Sequence, residues 1–326
     1  MAATTVAPHA PSSGQVTEYR TSRRRSRMRR RIADNLTGYT FLLGAVLCFA
    51  FFSWYPMVRE FIMSFQHTKR GVTTWVGWHN YIAVWHDPAF AAAWRNTAEF
   101  TLLALFGGFV VPFVIAVILN EFRHAQGYLR VLVYLPVMLP PASGLFLFKY
   151  AYDPGSGVFN QILHALHLPT SQWVQSPTMT VPSLVIASTW LNMGGAILIY
   201  LAALQNIPGE LYEAAEIDGA GLFRRIRHVT IPQTKLILLM LLMLQIVATM
   251  QMFIESFVLT NQGGGVGNNT LSVVMLIYQY AFAMSGASNY NSASALGVIL
   301  MLVLAVFSGG FLWSTRERGR AAREGS

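Results

Sequence analysis

Six stretches of this 326-residue chain are long, apolar and almost free of charge, and no other property restricts its fold as strongly. Asn35 to Val58 runs for 24 residues without an ionisable charge, where a helix needs about 20 residues to cross a bilayer. Residues 100–120, 130–149, 181–204, 236–259 and 292–313 repeat the pattern. The expected fold class is therefore all-α, a polytopic membrane protein with six transmembrane helices. Pro136, Pro140 and Pro141 lie inside the third stretch. They predict a bent or interrupted helix there, which a membrane tolerates where neighbours satisfy the freed carbonyls.

Charged residues make up 11% and hydrophobic residues 54% of the chain, against about 25% charged in soluble domains. The formal charge of +9 invites a nucleic-acid partner. Its distribution argues otherwise, because eight arginines fall between Arg20 and Arg31 and the rest flank apolar runs. Residues 1–34 are polar and too poor in large apolar groups to offset ordering entropy, so they read as a disordered basic tail. The apolar run after them is too long for a signal peptide and stays as a span. Six spans put both termini on one side, and the arginines put that side in the cytoplasm. On this topology cytoplasmic segments collect 18 of the 23 basic residues. The domains read as 1–34, 35–315 for the membrane part and a cytoplasmic tail at 316–326. One cysteine, Cys48, excludes an intrachain disulfide framework.

Between the fourth and fifth runs lies a polar island, Glu213-Ala-Ala-Glu-Ile-Asp-Gly219, followed after nine residues by Val229-Thr-Ile-Pro232. Pro208 suits a helix start and Gly219 a sharp turn, so the segment should form two helices. Leu222, Phe223, Ile226 and Val229 recur at helical spacing, which predicts a short amphipathic second helix with Arg224, Arg225 and Arg227 exposed. A plain solvated linker is seldom amphipathic twice in so short a stretch.

The island resembles the signature of the inner-membrane subunits of binding-protein-dependent ABC importers: Glu-Ala-Ala, three residues, Gly, nine residues, Ile-x-Leu-Pro. Val229 and Ile231 replace the Ile and Leu, while Tyr212, Asp218 and Ala220 extend the match toward the carbohydrate importers. Val76-Gly-Trp-His-Asn-Tyr81 is similar to the family's first outer loop. Leu259-Thr-Asn-Gln-Gly-Gly-Gly265 is similar to an outer segment typical of one permease of a heterodimer, with an extra residue and without its proline. The resemblance covers about residues 39 to 313. It implies a multi-pass permease of the bacterial inner membrane, paired with a second, different permease, two cytoplasmic ATPases that bind the ATP and Mg, and an extracytoplasmic binding protein. It implies that Glu213, Ala214, Ala215, Asp218, Gly219, Phe223, Ile226 and Pro232 couple the chain to the ATPase.

The chain holds no energy source of its own. Lys69, Lys149 and Lys235 follow Thr or Phe, so no Gly-Lys of a phosphate loop exists. His164 and His167 lack companions for a metal site, so neither metal nor cofactor is expected. In the fifth run Gln245, Thr249, Met252 and Ser256 recur every three or four residues, predicting one helical face for the path of a sugar or polyol, or else a helix-packing seam. An ion-coupled transporter would need intramembrane carboxylates, and Glu99 and Glu255, both near the outer ends of their runs, are the only candidates. A membrane enzyme would need a convergent catalytic set, and none stands at one depth. An ABC importer for a non-carbohydrate solute is the remaining alternative.

Overall fold

The structure, a computed structural model, describes residues 35, 38–69, 71–122, 126–261, 264–282 and 289–324. The tail expected at 1–34 lies outside them. The chain divides into two compact units, Met1–Glu60 and Phe61–Ser326.

Helices dominate. In chain order they are α1 (Gly38–Met63), α2 (His79–Trp85), α3 (Pro88–Glu121), α4 (Gln126–Met138), α5 (Pro141–Ala151), α6 (Val158–Ala165), α7 (Thr180–Gln205), α8 (Gly209–Ile217), α9 (Leu222–Met250), α10 (Ile254–Leu259), α11 (Val273–Phe282) and α12 (Tyr290–Glu324). Among the described residues five of them, α1, α3, α7, α9 and α12, are long and apolar enough to cross a membrane; the number is six if α4 and α5 form one broken span.

Prolines act in two ways. Pro56, Pro112 and Pro232 each stand two residues after a five-residue π-helical turn, at Ala50–Trp54, Phe106–Val110 and Ile226–Thr230. A proline ring collides with the carbonyl four residues back and supplies no N–H. Here that carbonyl belongs each time to the middle residue of the wide turn, so the helix widens and continues. Between α4 and α5 the prolines crowd together. A residue before proline is driven to extended backbone. Leu139 accordingly lies at φ −73°, ψ 138° and Pro140 at φ −55°, ψ 130°. The axis turns by 95°, as the prolines predict.

The fifth span departs from expectation. It was predicted over 236–259, but α9 starts at Leu222 and stops at Met250, and residues 251–253 form a turn before α10. No glycine or proline causes the stop. The Ser272 hydroxyl donates to the Met252 carbonyl at 2.6 Å, so a distant segment takes up an acceptor that a continuing helix would use, and the Ser256 hydroxyl donates to the Thr270 carbonyl of the same segment at 2.8 Å.

Within the second unit α7 is central. In its most apolar stretch 44% of residues are buried, against 28% in α3 and 11% in α9. One cluster joins it through Leu184 and Leu191 to Phe100 of α3, Leu145 and Phe148 of α5 and Met252. Another joins Ile197, Tyr200 and Leu204 to Ala116 and Leu119 of α3 and Leu241 of α9. A third packs α11 on α12, with Ala295 and Leu296 fully buried. Sequence reading passed over α11, whose ten residues are too few to span. It also passed over the antiparallel hairpin β1 (Gln66–Lys69) and β2 (Val72–Trp75).

At the start of α3 the Asp87 carboxylate accepts from the Ala89 N–H at 2.8 Å with Pro88 in the first turn, a capped helix start. About two turns further, buried Asn96 donates to the carbonyls of Asn268 and Leu271 at 2.6 and 3.1 Å, and the Thr97 hydroxyl accepts from the Val273 N–H at 3.0 Å. These bonds fasten the segment before α11 to α3.

Candidate functional site

Two places carry polar chemistry that the apolar helices do not need. The first is the segment from Pro208 to Pro232. Pro208 precedes α8, as expected, and Gly219 ends it at φ +72°. The N–H groups of Gly219 and Ala220 close the helix end on the carbonyls of Glu216 and Ala215 at 2.9 and 2.8 Å. A left-handed residue there suits glycine.

The second half differs from expectation. Leu222 to Val229 form no separate short helix but the first turns of α9, because the π-helical turn at Ile226–Thr230 lets the helix run through Pro232. Arg225 is half-buried rather than exposed, and pairs with Glu216. The Tyr212 hydroxyl meets that of Thr230 at 3.1 Å. Tyr212 and Arg225 share a small crevice with Glu121 of α3 and Leu204 of α7. The loop is thus held to the helix ends, while Glu213, Ala214, Asp218, Gly219, Phe223 and Pro232 face outward and Ala215 and Ile226 are half-buried. Two large apolar side chains also stand in the open: Ile217 is 87% and Phe223 78% exposed.

The second place is a cavity of about 370 Å³ between α3, α7, α9 and α10. Gln245, Thr249 and Met252 line it, so three of the four residues expected on one face share its wall although the helix breaks between them. Ser256 does not. It is fully buried and spends its hydroxyl on Thr270, a correction that follows from the break after Met250.

Sequence reading missed the opposite wall, Ser188, Thr189 and Asn192 of α7, together with Gln251 and Glu255. Ser188, Asn192 and Ala196 recur every four residues in an apolar run, the same signal that drew attention to Gln245. Asn192 donates to the Ser188 carbonyl and Thr249 to that of Gln245, both at 2.8 Å, one turn back on their own helices. The Gln245 amide reaches the Ala104 carbonyl at 3.4 Å and lies against Gly108, where a Cβ would stand 2.1 Å from its nitrogen. Glu255, near the outer end of its run, accepts from Ser188 at 2.8 Å at the cavity wall.

Comparison with known proteins adds the following. The model of the family described as binding-protein-dependent transport system inner membrane component matches residues 102–313. The arabinooligosaccharides transport system permease protein of Bacillus subtilis (strain 168) is 33% identical over 272 residues, 83% of this chain and 85% of the relative. The lactose transport system permease protein of Rhizobium radiobacter is 30% identical over 287 residues, 87% and 95% of the two chains. In fold, the chain superposes with a TM-score of 0.77 on a bacterial ABC transporter involved in import of the acidic polysaccharide alginate, at 24% identity over 89% of this chain and 99% of that one.

Proposed function

The chain belongs to the inner membrane components of binding-protein-dependent transport systems, and from that footing we propose that it carries a sugar or related polyol through the cavity between α3, α7, α9 and α10. It is a permease subunit, and the ATPase of such systems is a separate chain. The observation that carries the proposal is the cavity wall itself. Hydroxyl and amide groups converge there from α7, α9 and the turn that follows α9, and these donors and acceptors, with the Glu255 carboxylate beside them, suit sugar hydroxyls. The sugar-permease relatives support the same solute class.

In this reading both termini and the segment Pro208–Pro232 face the cytoplasm. The segments 1–34 and 316–326 flank the permease domain on that side, and a second, different permease completes the path. The exposed Ile217 and Phe223, with Glu213 and Asp218 beside them, seat in a cleft of the ATPase. Closure of two ATPases around bound ATP and Mg moves this segment as a rigid piece. Because α9 starts at Leu222 without a break, the movement passes directly into a cavity wall. A binding protein outside delivers the solute.

Reconstitution with the partner permease, ATPase and binding protein tests the proposal. Uptake is expected to require ATP and to stop with vanadate; vanadate-resistant uptake driven by an ion gradient refutes it. Orientation is read separately: with Cys48 replaced, a cysteine at position 221 should resist an impermeant reagent in intact cells, and labelling there reverses the topology.

A further inference from the structure

We infer that Glu255 makes the cavity selective for uncharged, hydroxyl-rich solutes and closes it to those carrying a carboxylate or phosphate. This rests on reading the cavity as the solute path. Among the described residues Glu255 is the only ionisable one in the wall, which otherwise offers the hydroxyls and amides of Ser188, Thr189, Asn192, Gln245, Thr249 and Gln251. Among the described residues it has no ion pair, and its hydrogen bond comes from a neutral hydroxyl, Ser188 to Oε1 at 2.8 Å. The turn after Met250 sets Glu255 in the first turn of α10, opposite Ser188 of α7.

An ionised carboxylate is an acceptor only, with about four lone-pair positions on its two oxygens. Ser188 occupies one, which leaves the others for solute hydroxyls, and a hydroxyl bonded to a carboxylate is held about twice as strongly as one bonded to a neutral group. A uronate or a sugar phosphate meets like charge at the same place, with no guanidinium or ammonium in this wall to offset it. Asn192 and Gln245 can bond hydroxyl and carboxylate alike, so discrimination falls to the one group whose sign differs for the two solutes.

The test uses the purified complex of both permeases and the ATPases in nanodiscs, without the binding protein, so that its selectivity does not intervene. Saturation-transfer NMR is recorded with arabinotriose, lactose and trehalose, and with trigalacturonate as the anionic probe. Wild type should bind at least one neutral sugar and show a trigalacturonate signal at least about fivefold weaker, since a like charge about 4 Å away costs about 1 kcal/mol even with the screening of bulk water. Glu255→Gln keeps the shape and drops the charge; it should bring the two signals within about threefold. Ser188→Ala removes the hydrogen bond and keeps the charge, so it should still exclude the anion. Equal signals in wild type, or a Glu255→Gln complex as closed to trigalacturonate as wild type, overturn the assignment to Glu255 and leave the sugar path standing. Silence from every sugar, neutral and acidic, overturns both.

Discussion

In the segment Pro208–Pro232 large apolar side chains stand in the open, with Phe223 78% exposed, whereas at the cavity amides and a carboxylate stand inside a bundle of apolar helices. Each region inverts the usual placement, and each inversion is paid for differently. The loop satisfies its backbone locally, through the closed end of α8, and leaves its apolar surface for something outside the chain. The cavity wall satisfies its donors on neighbouring carbonyls and on the Glu255 carboxylate, and keeps acceptors available within. Under the proposed function, the loop's exposed apolar residues await a partner and the wall's polar residues a solute.

The comparison is broken most severely at Gly219. Its surroundings are open, so an added Cβ meets no atom within 4 Å, and the backbone at φ +72° is what resists it. A β-branched residue in that conformation costs about 1–3 kcal/mol. Gly219→Val, combined with Glu213→Ala, should abolish transport and substrate-stimulated ATP hydrolysis while the complex still assembles. Gly219→Asn, which tolerates the left-handed region, should retain part of both. Normal transport by the double variant would remove the loop from the mechanism.

Phe223→Ala comes next. An exposed ring adds little to the fold, so thermal stability of the isolated subunit should shift by less than about 0.5 kcal/mol. A buried aromatic anchor at an interface is worth about 2 kcal/mol or more, so ATPase co-purification should fall roughly 30-fold. If stability falls and co-purification does not, Phe223 packs within the chain and the inversion is illusory.

Gln245→Leu sharpens the other half. Loss of a hydrogen bond to solute costs about 1–3 kcal/mol, so uptake should drop roughly 5- to 160-fold. Complex yield should fall less, although the contact with Gly108 gives the side chain a packing role as well. Ser256→Ala should behave oppositely, lowering stability by about 1 kcal/mol with little direct effect on uptake, since its hydroxyl is committed to Thr270. Parallel loss of yield and uptake in both variants, measured by purification and radiolabelled uptake, makes the wall a packing seam.

The smallest effect is expected from Glu216→Ala. Glu216 is 61% exposed and its pair with Arg225 is screened by solvent, so stability should change by no more than about 1 kcal/mol in thermal unfolding. A larger loss would mean that the loop is held by charge rather than by Tyr212 and the helix ends.

Much of the loop was legible because its devices are local: Pro208 starts a helix, and Gly219 takes a conformation that other residues resist. The cavity was legible by half. Gln245 and Thr249 could be paired by period, but the stop after Met250 has no local signal, since Ser272 and Thr270 impose it from outside the helix. Continuing the period through the stop placed Ser256 on the wall and Glu255 off it, the reverse of what is found. Ser188 and Asn192 carried the same four-residue signal on α7 and were open to the same argument.

The clasp at Asn96 has a consequence for how the protein is made. Its nearer acceptor, the Asn268 carbonyl, lies 172 residues further along the chain. At about 5–20 residues per second of synthesis, α3 exists for roughly 10 to 35 seconds before that acceptor has been polymerised. During that interval the Asn96 amide lacks the two carbonyls it holds in the finished fold. A nascent chain arrested before residue 268 therefore lacks the bonds by which Asn96 ties α3 to the segment before α11.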